Sequence, residues 1–125
     1  MENAVDLIQK IEKIIKKDPR YKEEAYTFVL AALNYTVGKL PTKRHISGRE
    51  LLEGIREYAL NQFGPMTKTV LHYWGIAETL DFGNIVFHMI DAKLLGKSEE
   101  DSLEDFKNVF DFKAAFTPSN DYTLE

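Results

Sequence analysis

A chain of 125 residues with 44% hydrophobic and 29% charged side chains suits one hydrophobic core, is short for two, and is too apolar to remain disordered. The absence of cysteine excludes disulfides, thiolate nucleophiles and cysteine-ligated zinc or iron–sulfur centres. The net charge of −4 is uneven, with 12 Lys and Arg against 9 Asp and Glu in residues 1–72 and 4 against 11 in residues 73–125, which argues against a whole-protein preference for nucleic acid and predicts weak homo-oligomers through complementary faces.

In chain order, Val5, Ile8, Ile11, Ile14 and Ile15 recur at helical spacing between lysines, predicting a first amphipathic helix over residues 3–17 that Asp18-Pro19 ends. No apolar run reaches the ~18 residues that cross a bilayer, and the start lacks a basic-then-apolar leader, so a cytoplasmic protein without membrane contact is expected. Tyr21, Ala25, Phe28, Val29, Ala32 and Leu33 form a second stripe, closed by Gly38 and Pro41. A strand over residues 26–30 stays open, although length favours helix. Residues 37–47 read as a loop. Ser47-Gly48-Arg49-Glu50 fits a capping box, in which hydroxyl and carboxylate reciprocally satisfy backbone N–H groups at the start of a third helix carrying Leu51, Leu52, Ile55, Ala59 and Phe63.

Gly64-Pro65 then opens a short fourth helix over residues 65–74, with Met66, Val70, Leu71 and Trp74 on one face and Gly75 as its cap. Thr79 is the expected cap of a fifth helix bearing Phe82, Ile85, Val86, Met89, Ile90 and Leu94, while residues 82–87 also fit a short strand. Ser98-Glu99-Glu100-Asp101 places carboxylates at the positive end of a sixth helix anchored by Leu103 and Phe106. Phe110, Phe112 and Phe116 are expected to pin an extended or single-turn segment to the core, and residues 117–125 to form a flexible tail. The expectation is therefore an all-α protein, a single compact domain of five to six short helices over residues 1–116, with Trp74, Phe63, Phe82 and Phe87 mainly buried.

Few residues point to chemistry. His45, His72 and His88 form no His-x-x-x-His pair, so no metal site and no cofactor are expected. Asp81-Phe82-Gly83 spells a kinase magnesium triplet without the glycine-rich and catalytic loops that give it meaning. A helix start suits it better: Thr79 and Asp81 satisfy terminal N–H groups, and Gly83 lets another backbone approach. The carboxylates Glu50, Glu53 and Glu57 read as a solvated helix face, and no nucleophile stands in an activated context.

The most suggestive stretch is residues 39–49, where Lys39, Lys43, Arg44, His45 and Arg49 occur without an acid just before a helix N-terminus, a setting that suits an anion. Lys43, Arg44, His45 and Arg49 are the candidate anion-binding residues. A helix-turn-helix reading of the third and fourth helices leaves only Thr67, Lys68, Thr69, His72 and Tyr73 to face a DNA groove.

The segments His45-Ile-Ser-Gly-Arg-Glu-Leu-Leu, Phe63-Gly-Pro-Met, Trp74-Gly-Ile and Asp81-Phe-Gly, followed by Glu104-Asp-Phe and Phe110-Asp-Phe, resemble a family of small prokaryotic conserved hypothetical proteins. The resemblance spans residues 21–116. It implies no catalytic residue, because that family has no established activity. Three functions remain in view: a non-catalytic protein-interaction or adaptor module with an unidentified protein partner, with Thr79, Asp81 and Gly83 as an interaction surface; a nucleic-acid or phosphate binder using residues 39–49; and a small enzyme whose site has no recognised pattern.

Overall fold

The Ser47–Glu50 pair closes in both directions. The serine hydroxyl accepts from the Glu50 N–H at 3.1 Å, the Glu50 carboxylate accepts from the Ser47 N–H at 2.9 Å, and helix α3 (Gly48–Phe63) begins there. In the computed structural model, which describes residues 4–42, 44–96 and 102–116, α3 is preceded by α1 (Ala4–Lys17) and α2 (Glu23–Gly38). A 3₁₀ turn (Gly64–Met66) leads into α4 (Thr67–Tyr73), and α5 (Thr79–Asp91), a second 3₁₀ turn (Leu103–Phe106) and α6 (Phe112–Phe116) complete the order. Among the described residues there is no strand, so residues 26–30 and 82–87 are both helical. Their β-branched and aromatic side chains fill a core, and burial on a helix face overrides their weak strand preference.

Helix α2 is central. It packs most extensively against α3 and also against α5 and α1. Tyr26, Val29 and Ala32 of α2 meet Leu52 and Ile55 of α3 and Phe82, Ile85 and Met89 of α5 in one buried cluster. The α2–α3 approach is close enough that a Cβ at Gly54 would collide with the Thr36 side chain. Phe82 is fully buried as expected, but Phe63, Trp74 and Phe87 are only half-buried. The deepest aromatic positions belong instead to Tyr21, Tyr26 and Phe116.

The C-terminal side differs from expectation. The segment anchored by Leu103 and Phe106 is a single 3₁₀ turn capped by Ser102, whose hydroxyl accepts from the Glu104 N–H at 3.2 Å. The start expected at residues 98–101 and the tail at residues 117–125 lie outside the described residues. Phe112 and Phe116 form a one-turn helix with both rings buried at 5.0 Å in an edge-to-face pair, which rules out an extended segment there.

Candidate functional site

The basic segment is internally satisfied at its most important point. Arg44 grips Glu50 through both carboxylate oxygens, at 2.7 and 3.1 Å, and also donates to the His45 carbonyl at 3.0 Å. Glu50 is held down to about 2 by the Arg44 guanidinium first and the Ser47 N–H second. One carboxylate thus serves as capping acceptor and as partner of the cation meant for an anion. Arg44, His45 and Arg49 are exposed, and Lys43 lies outside the described residues. Lys39 turns away to Glu57. Arg44 and His45 line a cleft with Ser47 and Gly48 at the start of α3, and the Arg44 guanidinium is held there by Glu50.

The expected surface of Thr79, Asp81 and Gly83 is used inside the fold. The N-cap of α5 is Glu78, not Thr79. Thr79 is buried, donates to the Phe106 carbonyl at 2.6 Å and accepts from the Val109 N–H at 3.1 Å. Asp81 caps the helix by accepting from the N–H groups of Ala77 at 2.8 Å and Glu78 at 3.1 Å. A Cβ on Gly83 would stand 2.7 Å from the Phe106 side chain, so a ring, rather than a backbone, makes the close approach. Gly75 shows the same economy: its φ of +94° and the adjacent Arg20 carbonyl leave no place for a side chain.

A polar network missed by sequence reasoning joins the α1–α2 turn, α2 and α5. Arg20 holds Asp18 by Nε at 2.9 Å and Nη2 at 2.7 Å, Asp18 lies 3.3 Å from His88 Nε2, and His88 Nδ1 lies 2.9 Å from the Tyr26 hydroxyl. Burial lowers the His88 pKa, against a smaller raising effect of Asp18, and pushes the Tyr26 phenol up to about 12. A neutral imidazole and a protonated phenol satisfy both contacts only if Tyr26 donates to Nδ1 and Nε2–H faces Asp18. Beside it, Tyr21 donates to Asp81 at 2.5 Å and accepts from Asn84 at 2.9 Å. Residues 60 or more positions apart carry no pairing signal in a single sequence. The relay runs from the partly exposed Asp18 and His88 to the fully buried Tyr26 phenol. It braces α5 against α2.

No group of three or more His, Asp or Glu among the described residues is placed to hold a metal ion, and no described helix is long and apolar enough to cross a membrane.

The outward feature is the α4 face. Met66 and Tyr73 are 55% and 68% exposed, and Val70 stands between them at helical spacing. Trp74, half-buried, follows Tyr73 in the chain and packs against Phe28 at 5.3 Å and Phe63 at 5.6 Å. Lys22 Nζ sits 5.1 Å from the Tyr73 ring. Between Glu57 and Glu78 the chain has no acidic residue.

Compared with known proteins, the chain matches no family model, and no curated protein or solved structure is significantly similar to it. The family resemblance of its motifs rests on those residues alone.

Proposed function

We propose that this protein is a non-catalytic interaction module of the cytosol that docks an acidic, amphipathic segment of a partner protein on the α4 face. The observation that carries the reading is the exposure of Met66 and Tyr73 in one stripe with Val70. Large, adaptable or rigid apolar side chains of this kind dominate interface energetics, and Tyr and Trp supply area at low entropic cost. Trp74, next to Tyr73 in the chain, is held by Phe28 and Phe63, which fixes the end of α4. Lys22 on the Tyr73 ring, with no acidic residue in the α4 segment itself, favours a partner with acidic flanks.

The test compares native protein with a Met66→Glu, Tyr73→Glu variant in affinity purification from the source cells, with a photoreactive side chain at position 73 to mark direct contacts. The expected result is a protein crosslinked at position 73 and lost from the variant, with melting temperature within about 2 °C of native, since exposed substitutions have small effects on stability. An unchanged set of bound proteins, or crosslinks only to a second copy of this chain, overturns the reading.

A further inference from the structure

A cleft of about 580 Å³ runs between α1 and the end of α5, on a surface separate from α4, with Lys10, Lys13 and Lys17 on its α1 side and His88 and Asp91 on the other. The lysines recur at i, i+3 and i+7 and so share one helix face. Ile14 and Ala92 supply apolar lining between the two walls. Lys13 and Lys17 make no ion pair with a described residue, and Asp91 makes none either. Asp18, also in the cleft wall, is already neutralised by the two-point grip of Arg20. The cleft thus combines a cationic wall, a partly exposed imidazole and one carboxylate available to accept.

We propose that this cleft binds a small phosphate monoester carrying hydroxyl groups, with the phosphate on Lys13 and Lys17 and a hydroxyl donating to Asp91. Lys13 and Lys17 suit a compact, doubly charged anion, which ammonium groups hold as point charges. Asp91 narrows the ligand further. A carboxylate repels a bare phosphate but accepts from a hydroxyl, so a polyol ester satisfies both walls where inorganic phosphate satisfies one. The volume falls within the range of small-molecule sites, roughly 300–1,000 Å³. A ligand here lies against the His88 ring, whose side chain is 20% exposed.

The probes are glycerol 3-phosphate, inorganic phosphate and glycerol, titrated into the full chain at low salt by calorimetry, with the three histidine ring resonances followed by NMR. Glycerol 3-phosphate should bind saturably and more tightly than inorganic phosphate, glycerol should not bind, and His88 should shift while His45 and His72 stay. A Lys13→Ala, Lys17→Ala variant should lose about tenfold or more in affinity for both anions. Asp91→Ala should weaken glycerol 3-phosphate while tightening inorganic phosphate, a reversal that a general basic patch cannot produce. Absence of saturable binding, equal binding by the lysine variant, or an Asp91→Ala effect of the same sign on both anions overturns the proposal. Binding to phosphatidylglycerol vesicles without binding to the soluble ester also overturns it and assigns the lysines to a lipid surface. None of these outcomes bears on the α4 face.

Discussion

The Thr79 hydroxyl donates to the Phe106 carbonyl at 2.6 Å across 27 residues of chain and accepts from the Val109 N–H at 3.1 Å, so one buried side chain fastens residues 102–110 to the start of α5. Removing it leaves a carbonyl and an N–H without their partner in a closed environment. Thr79→Val, which keeps the shape and deletes the hydroxyl, should cost about 1–3 kcal/mol in denaturant unfolding. Thr79→Ser, which retains the hydroxyl, should cost less. A Thr79→Val variant as stable as the native chain, with the loss confined to Thr79→Ser, would assign the effect to the methyl group.

Two helical glycines should respond with opposite sign. At Gly38 an added Cβ meets nothing within 4 Å, so Gly38→Ala should stabilise by about 0.5–1 kcal/mol through reduced freedom of the unfolded chain. At Gly54 the added Cβ runs into Thr36. There the same substitution should destabilise by about 1–3 kcal/mol because α2 and α3 must separate. Thermal unfolding of the two single variants against the native chain decides both.

Trp74 contributes less than its size suggests. Its ring is half-buried and tilted against Phe28 and Phe63. Trp74→Ala should therefore cost about 2 kcal/mol, below the ~3–5 kcal/mol of a fully enclosed aromatic residue. A loss at the upper end would place the indole in the core after all.

The His88 network makes stability depend on pH. Burial lowers the folded-state pKa of His88, so the unfolded chain takes up this proton first as pH falls. Stability from this group is complete above the ordinary imidazole value of about 6.5 and declines as pH drops towards the folded value. A second loss follows in more acid solution, where Asp18, held at about 2 by its hydrogen bonds to Arg20, protonates first in the unfolded chain. Melting temperature should be flat from pH 7 to 8, fall below about 6.5, and fall again below about 4. His88→Gln should remove the first decline and leave the second. A native profile that is flat between pH 7 and 5 would contradict this account.

The sequence by itself determined whatever depends on neighbours along the chain. The Ser47–Glu50 box, the α1 stripe of Ile11 and Ile14, the break at Asp18-Pro19 and the turn at Gly64-Pro65 are local devices, and each stands where spacing and composition put it. Helical class followed from the same periodicity. Only the tertiary structure decided what those elements bring together. Thr79 looks like a cap in sequence, but Glu78 takes the cap position and Phe106 claims the hydroxyl. Arg44 looks available to an anion, but Glu50 faces it once the turn folds. The Asp18–His88–Tyr26 chain unites residues 62 and 70 positions apart, and its members read singly as a turn acid, a lone histidine and a core aromatic. Side-chain partners set by packing leave no periodic trace in the chain, because the geometry that pairs them exists only after distant helices have met.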